Sequence, residues 1–179
     1  MFKIIACVNK KNAIGKDGKL MYNIKNDIYN FARMTKFNGV VIMGRKTFES
    51  IGGVPLADRV NIIMTEDMEY SVDSSFDNVY ITHSIAEVFN LCEAFFSEKE
   101  LFVIGGASIY RQFLDSGMVD EMLLTTVNDD AEGDTYFPEF DRDEWYTYYK
   151  SMAQTSSYMN NETSFYFEIL RRKVDEDRY

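Results

Sequence analysis

Continuous apolar runs rich in β-branched residues alternate with amphipathic segments along the first two thirds of the chain. Such runs are typical of strands that are buried on both faces, whereas apolar positions three and four apart are typical of helices. The pattern predicts strands at residues 2–8, 39–43, 60–65, 79–82 and 100–104. It predicts helices at residues 25–36, 45–50, 84–95 and 107–114, the third of them capped by Ser84 with Glu87 three residues on.

The last third of the chain has a different pattern, because its strand-like segments follow one another without a helix between them. They lie at residues 122–127, 145–153 and 163–172, and Asn160-Asn161 suits a turn between the last two. Strands that alternate with helices pair in parallel, and consecutive strands pair antiparallel. We therefore expect an α/β fold with a single domain over residues 1–173 and a short flexible tail at 174–179. It should contain a mixed, mostly parallel eight-stranded sheet with an antiparallel C-terminal edge and about four flanking helices.

The composition agrees with one globular domain. The chain has 179 residues, of which 46% are hydrophobic and 27% are charged, and it contains only two prolines. No segment approaches the roughly 18–20 apolar residues that are needed to cross a bilayer, and the N-terminus lacks the long apolar region of a secretion signal. We expect a cytoplasmic protein, a monomer, with no membrane partner.

The net charge of −10 argues against a nucleic-acid partner. The charge is unevenly distributed, because residues 1–60 have a balance of +7 and the rest of the chain has a balance of −17. An anionic ligand is therefore compatible with a site built mainly from the first third. With one histidine, His83, and two cysteines in apolar surroundings, Cys7 and Cys92, we expect buried thiols and no metal site.

A carboxylate occupies an unusual place on the first predicted helix. Ile24, Ile28, Phe31 and Met34 form its apolar stripe, and Asp27 falls on the same side. A carboxylate that is buried alone costs several kcal/mol, so it should pair, bind a proton or await a ligand. The alternative is an ordinary first-turn acid that interacts favourably with the helix dipole.

Two glycine turns each join a buried strand to a helix. Gly44 precedes Arg45, Lys46 and Thr47, and Gly105-Gly106 precedes the helix at 107–114. Helix N-termini and cationic side chains favour anions, so the two turns together could hold a dinucleotide. Neither turn matches G-x-G-x-x-G, and the apolar residues before Gly44 form a strand, which excludes a P-loop ATPase or kinase. The Gly105-Gly106 turn, taken alone, could equally be a tight turn without a ligand.

Glycines also punctuate residues 14–23, between the first strand and the helix that carries Asp27. Loops with glycine hinges can close over a bound substrate. The segment is therefore a candidate lid, and the alternative is an ordinary connection.

Together these segments resemble the dihydrofolate reductase family over residues 1–172. The most specific similarities are Ile14-Gly15, Asp27 on its helix, and the runs 41–52, 103–110 and 132–138. The resemblance implies a dihydrofolate-reductase-like fold and NADPH-dependent reduction of 7,8-dihydrofolate to tetrahydrofolate, by hydride transfer to C6 and protonation of N5. This activity would support one-carbon metabolism and the synthesis of thymidylate, purines and amino acids. The resemblance also suggests a cis peptide between Gly105 and Gly106.

By the same resemblance, Asp27 accepts hydrogen bonds from the pterin and Thr125 supports that contact, while a water admitted near Leu20 and Tyr22 carries the proton to N5. The other substrate contacts that the resemblance implies are Ile5, Cys7, Ile28, Phe31, Ile51, Leu56, Arg59, Ile104 and Tyr110. The implied cofactor contacts are Ala6, Ile14, Gly15, Leu20, Gly44, Arg45, Lys46, Thr47, Ser50, Thr65, His83, Ile104, Gly105, Gly106, Ala107, Ser108, Ile109 and Tyr110. Within these sets Arg59 would bind the glutamate carboxylate of the substrate. Arg45, with Thr65 and His83, would favour the 2′-phosphate of NADPH over NADH.

The chain departs from the family pattern before the first helix, where Met21-Tyr22 replaces the usual Pro-Trp. The loop loses a fixed φ angle, and an indole donor becomes a phenol. Residues 52–58 also differ from the usual compact run, and the region between Thr65 and His83 is a few residues longer.

Two alternatives share the fold. A riboflavin-pathway-type reductase that acts on a pyrimidine ribityl phosphate would keep the cofactor turns but would not need Asp27 or Arg59. A non-catalytic pteridine- or nucleotide-binding protein would keep the fold without the reaction, and the altered Met21-Tyr22 segment is the feature that favours it.

Overall fold

The protein, described by a computed structural model over residues 1–158 and 161–173, is built on one large sheet with helices on its faces. The strands are β1 (Phe2–Asn9), β2 (Ala13–Lys16), β3 (Lys19–Leu20), β4 (Gly39–Gly44), β5 (Val60–Met64), β6 (Val79–Thr82), β7 (Glu100–Gly105), β8 (Val119–Val127), β9 (Thr135–Tyr136), β10 (Trp145–Lys150), β11 (Gln154–Tyr158) and β12 (Asn161–Arg172). The helices are α1 (Lys25–Thr35), α2 (Arg45–Ser50), α3 (Ile85–Phe95) and α4 (Ala107–Asp115).

The large sheet has the strand order β10-β12-β8-β1-β7-β4-β5-β6, and β11 pairs with β12 in addition. All neighbouring strands from β8 to β6 are parallel, whereas β12 pairs antiparallel with β8, β10 and β11. The predicted mixed sheet with an antiparallel C-terminal edge is confirmed, and β11 adds a strand to the eight predicted ones. Because parallel strands end at the same edge, the segments that follow β4, β5 and β7 lie close together.

Burial along the strands follows the two sequence patterns. Residues 39–43 of β4 are all buried, as expected for a central parallel strand that is covered on both faces. In β1 the even-numbered residues from 2 to 8 lie in the core, while Ile5 and Cys7 on the opposite face are half-buried. Cys92 is buried as expected, but Cys7 is only partly so, because its face of β1 borders a cavity.

The start of α3 is close to its prediction. Ser84 is the N-cap, and its hydroxyl accepts a hydrogen bond from the Glu87 N–H at 3.2 Å. The Glu87 carboxylate accepts from the N–H of His83 at 2.8 Å, one residue before the position expected in a capping box. This hydrogen bond holds the backbone of His83 at the end of β6.

The prediction for residues 145–153 is wrong at its end, because β10 stops at Lys150 and irregular backbone precedes β11. Ser151 explains the break. Its N–H donates to the Phe167 carbonyl at 2.9 Å, and its side-chain hydroxyl, rather than a backbone carbonyl, accepts from the Phe167 N–H at 3.0 Å. Of the predicted Asn160-Asn161 turn, Asn160 lies outside the described residues, as does the predicted tail at 174–179.

The candidate lid is a small three-stranded sheet with the order β3-β2-β9. Gly15 pairs with Leu20 on one side and with Thr135 on the other. A Cβ at Gly15 would lie 3.2 Å from the Lys19 carbonyl oxygen and 3.3 Å from the Thr135 Cβ, so glycine permits this close approach. Backbone contacts therefore tie the segment after β1 to the segment after β8.

Candidate active site

A cavity of about 650 Å³ opens where the parallel strands β4, β5 and β7 end. Its volume is in the range of pockets that bind small molecules and cofactors. All the predicted cofactor contacts line it except Ala6 and Gly105, namely Ile14, Gly15, Leu20, Gly44, Arg45, Lys46, Thr47, Ser50, Thr65, His83, Ile104, Gly106, Ala107, Ser108, Ile109 and Tyr110. Ala6 lies in the core, and Gly105 is buried as the last residue of β7.

Glycines shape the two turns at which α2 and α4 begin. Gly105 has a φ of +106°, and a Cβ there would lie 2.9 Å from ring carbons of Tyr110. A Cβ at Gly44 would lie 3.1 Å from Cγ1 of Ile109, so side chains are poorly accommodated at both turns. The Gly105–Gly106 peptide is cis, as the resemblance suggests. The two turns approach closely enough for the first residues of both helices to line one cavity.

Positive charge accompanies these turns. Arg45 and Lys46 line the cavity at the start of α2, and α4 presents the free N–H groups of its N-terminus next to them. Arg45 is held in place, because its Nη1 donates to Glu49 at 3.0 Å and its guanidinium lies 5.8 Å from the ring centre of Tyr70. Cationic side chains beside a helix N-terminus match the phosphates of a dinucleotide.

The cavity also contains residues that were not among the predicted cofactor contacts: Gly18, Lys19, Met64, Glu66, Asp67, Gln112 and Thr135. Glu66 and Asp67 directly follow the predicted strand at 60–65, so their place at the carboxyl edge of the sheet was available from the pattern. Gln112 is one turn beyond Ser108 on α4 and could have been found from helical spacing. Thr135 reaches the cavity because it pairs with Gly15, and the sequence has no local signal for this pairing.

Asp27 lies in the first turn of α1, and its carboxylate accepts a hydrogen bond from the hydroxyl of Thr125 on β8. Burial raises the pKa of the Asp27 carboxyl, and the hydrogen bond from Thr125 partly opposes this rise. The acid is therefore directed toward the sheet, unlike a solvated acid that only interacts with the helix dipole.

Asp27 and Thr125 line a second cavity, of about 560 Å³, between α1 and the strands β8 and β12. Ile5 and Phe31, two further predicted substrate contacts, line it as well. Cys7, Ile104 and Tyr110 line the first cavity. Four other predicted contacts line neither cavity: Ile28, Ile51, Leu56 and Arg59. The predicted substrate residues are therefore divided between the two cavities and positions outside both.

Cys7 borders the first cavity and lies next to a residue of the second. It pairs in register with Thr125 and lines the first cavity, while Thr125 lines the second. Burial, and to a smaller extent the charge of Asp27, raise the pKa of the Cys7 thiol well above its ordinary value. Tyr110 adds a further link, because its hydroxyl donates to the Ile5 carbonyl at 2.9 Å. The end of the first cavity at Cys7 is thus the end that lies beside Asp27.

Arg59 lies near Phe31 and Thr35 of α1. Its Nη1 donates to the Thr35 hydroxyl at 3.0 Å, and its guanidinium lies 5.7 Å from the ring centre of Phe31. Burial lowers the pKa of the Arg59 guanidinium. Ile28 and Ile51, two further predicted substrate contacts, are 44% and 40% exposed.

Tyr22 and Leu20 occupy different surroundings. Leu20 is 67% exposed and lines the first cavity. Tyr22 is buried, and its hydroxyl donates to Asp129 and accepts from the side-chain amide of Asn9 at 3.0 Å. The residue lines neither cavity, so its predicted contact with a catalytic water stays a prediction.

Within residues 1–158 and 161–173, no group of three or more His, Cys, Asp or Glu side chains is arranged to hold a metal ion. No helix in this part of the chain has both the length and the apolar character needed to cross a membrane.

Comparison with known proteins gives one consistent family. A family model described as dihydrofolate reductase matches residues 1–172. The dihydrofolate reductase of Staphylococcus haemolyticus is 36% identical over 169 residues, which are 94% of this chain and 94% of that protein. The dihydrofolate reductase of Bacillus subtilis strain 168 is 37% identical over 145 residues, covering 81% and 80% of the two chains. A structure of Enterococcus faecalis dihydrofolate reductase complexed with NADP(H) and RAB-propyl has a TM-score of 0.81 and 27% identity, and the match covers 97% of each chain.

Proposed function

The chain belongs to the dihydrofolate reductase family, and on that premise we propose that it reduces 7,8-dihydrofolate by hydride transfer to C6 and protonation of N5. As an enzyme of this family it is an oxidoreductase that uses NADPH. The observation that carries the mechanistic proposal is the hydrogen bond between Asp27 and Thr125 beside the phosphate-compatible cavity. A protein that only bound nucleotides would have no need of this partly buried acid.

The first cavity has a volume in the range of cofactor sites, and the cationic side chains at its glycine turns suit the phosphates of NADPH. When bound, NADPH supplies a hydride from its nicotinamide ring. Arg45, Lys46 and the N-terminal N–H groups of α4 would hold its phosphates. Ile14 and Ile104 give the cavity an apolar lining, against which a ring can pack.

Asp27 would bind the pterin ring of the substrate. An ionised carboxylate accepts hydrogen bonds at both oxygens, and Thr125 donates to only one of them, Oδ1. An amino group and a protonated ring nitrogen of the pterin would donate to the remaining positions. Because burial disfavours the charge of Asp27 in the free enzyme, these donors would stabilise the carboxylate more than water does.

The reaction consumes one proton, which joins N5 as the hydride joins C6. Leu20 lies exposed on the small sheet at the cavity, so displacement of its side chain would admit a water that delivers this proton. Tyr22 would act indirectly in this proposal, by holding the backbone next to Leu20 through Asp129 and Asn9.

The tail of the substrate would follow the exposed apolar side chains Ile28 and Ile51, with Phe31 and Leu56 against its aromatic ring. Arg59 would bind the glutamate carboxylate, since Thr35 already fixes the guanidinium on this side of α1. We further propose that the enzyme is monomeric and cytoplasmic and that residues 1–173 form its domain. Its product would support one-carbon metabolism and the synthesis of thymidylate, purines and amino acids.

The test is dihydrofolate-dependent oxidation of NADPH by the wild type and by Asp27→Asn. Asparagine keeps an acceptor for Thr125 but removes the charge, so we expect kcat/KM for dihydrofolate to fall by about 10²-fold or more near neutral pH. The exposed acid Asp77 provides the matched control, and Asp77→Asn should retain wild-type rates. Absence of dihydrofolate-dependent oxidation in the wild type would refute the proposed reaction. Full activity of Asp27→Asn would refute only the role of the carboxylate.

A further inference from the structure

The proposed reaction fixes the direction of the cofactor in its cavity, and the inference below rests on that reaction. The hydride acceptor binds beside Asp27, which lies next to the Cys7 end of the first cavity. The nicotinamide ring must therefore lie at the Cys7 end. In a dinucleotide the adenosine, whose ribose carries the 2′-phosphate of NADPH, is at the opposite end.

The strand order locates that opposite end. From β1 the sheet continues through β7, β4 and β5 to β6. Neighbouring strands are about 4.8 Å apart, so the ends of β5 and β6 lie roughly 14 and 19 Å from β1. Thr65 and His83 line the cavity there, and the His83 ring Nδ1 is 2.9 Å from the Thr65 carbonyl oxygen. The ribose phosphate that distinguishes NADPH from NADH would thus bind near the ends of β5 and β6.

The charges at this end oppose one another. Arg45 and Lys46 come from the start of α2, and Glu66 and Asp67 come from the segment after β5. Glu49 forms an ion pair with Arg45 at 3.0 Å and offsets part of its charge. Carboxylates therefore outnumber the cationic side chains around the position where NADPH carries its additional dianionic group.

Carboxylates distinguish the two cofactors through opposite interactions. A carboxylate repels a 2′-phosphate, but it can accept a hydrogen bond from the free 2′-hydroxyl of NADH. We propose that Glu66 is a specificity-determining residue that lowers the preference of this enzyme for NADPH over NADH. Asp67 adds to the same field, but it also shapes the turn, because its N–H donates to the Thr65 hydroxyl at 3.2 Å and its carboxylate accepts from the Glu69 N–H at 3.1 Å. Glu66 is therefore the residue to substitute.

The experiment compares kcat/KM for NADPH and for NADH at saturating dihydrofolate in the wild type, Glu66→Gln and Glu69→Gln. Glu69 is an exposed acid three residues along that does not line the cavity, so Glu69→Gln removes the same charge outside the site. Glu66→Gln should raise the NADPH-to-NADH ratio about two- to fivefold, the size expected for an exposed charge. The increase should shrink in 0.5 M salt, because salt screens exposed charges.

An unchanged or lower ratio in Glu66→Gln, or an equal increase in Glu69→Gln, would overturn the proposal. Dissociation constants of NADPH and NADH, measured by calorimetry without dihydrofolate, separate this outcome from a failure of the proposed reaction. If dihydrofolate is not reduced at all, the proposed function fails. The ratio of the two dissociation constants then still shows whether Glu66 disfavours the phosphorylated cofactor.

Discussion

At the scale of single residues, Asp27 in the first turn of α1 accepts a hydrogen bond from Thr125 on β8. The place of Asp27 on the apolar stripe of a predicted helix left two interpretations open, an inward-directed acid and an ordinary first-turn acid. Thr125, its hydrogen-bond partner, lies far along the chain, and only the register of β1 with β8 brings it opposite Cys7 and close to α1. Residue type and spacing made the acid a candidate, whereas the resemblance to a family was needed to assign its role and to identify the hydroxyl.

The burial of Asp27 has a consequence for stability. Because the pKa of its carboxyl is raised in the folded state, the folded protein binds this proton more tightly than the unfolded chain does. Stability is therefore lost as the pH rises from about 4, the ordinary value for Asp, through the raised folded value, and the loss is complete above it. Asp27→Asn carries no such loss. We expect it to be more stable than the wild type at pH 7 by about 0.5–2 kcal/mol, and the gain should disappear at the acidic end.

Urea unfolding of the two proteins between pH 4 and pH 8 measures this difference. Asp77→Asn, at an exposed acid, should show little change with pH relative to the wild type. A wild type that is more stable than Asp27→Asn at pH 7 would mean that the free enzyme already compensates the buried charge.

At the scale of elements, the parallel strands and their helices were predictable because each carries its own apolar pattern. The small sheet was not predictable, because β2, β3 and β9 are too short to show a period and are held by pairing between distant segments. The replacement of Pro-Trp by Met21-Tyr22 predicts a loop with one fixed φ angle fewer. The structure shows a buried Tyr22 whose hydroxyl joins the loop to Asp129 and Asn9.

The Tyr22 hydrogen bonds predict that the hydroxyl stabilises the junction between β3, α1 and the segment after β8. Tyr22→Phe keeps the packing but leaves Asp129 without this donor and the buried Asn9 amide without this acceptor. We expect the free energy of unfolding to fall by about 1–3 kcal/mol. Tyr29→Phe is the matched control, since Tyr29 is 67% exposed on α1, and its effect should be within about 0.5 kcal/mol.

Urea denaturation at pH 7 checks both changes. Equal stability of Tyr22→Phe and the wild type would show that water replaces the lost hydroxyl without cost. If kcat with dihydrofolate falls while the KM for NADPH is unchanged, the same variant also supports the indirect role of Tyr22 in the proposed proton delivery.

At the scale of the whole molecule, the uneven charge distribution distinguishes the candidate active site from the rest of the surface. The balance of +7 in residues 1–60 contributes Arg45, Lys46 and Arg59, whereas the remaining chain has a balance of −17. Part of that acidic excess is paired along the C-terminal edge of the sheet, where Arg171 binds Glu121 at 2.8 Å and Arg172 binds Glu144 at 2.5 Å. The remaining carboxylates outnumber their partners and repel one another.

Salt should therefore stabilise the protein. Raising NaCl from 0.01 to 0.5 M shortens the screening length from roughly 30 Å to a few ångströms and weakens this repulsion. We expect Tm at pH 7 to rise by about 3–8 °C. Calorimetry with NaCl and with choline chloride distinguishes general screening from binding of a specific cation. A fall in Tm would show that the surface ion pairs contribute more to stability than the repulsion removes.

Burial alternates along β1, so two sets of positions in this one strand should tolerate different substitutions. Substitutions at residues 2, 4, 6 and 8 should change stability according to how well the new side chain fills the core. Substitutions at Ile5 and Cys7 should change ligand binding, since Ile5 lines the second cavity and Cys7 lines the first. Selection by a new substrate or inhibitor should therefore change Ile5 and Cys7, while adaptation to temperature should change the even-numbered positions.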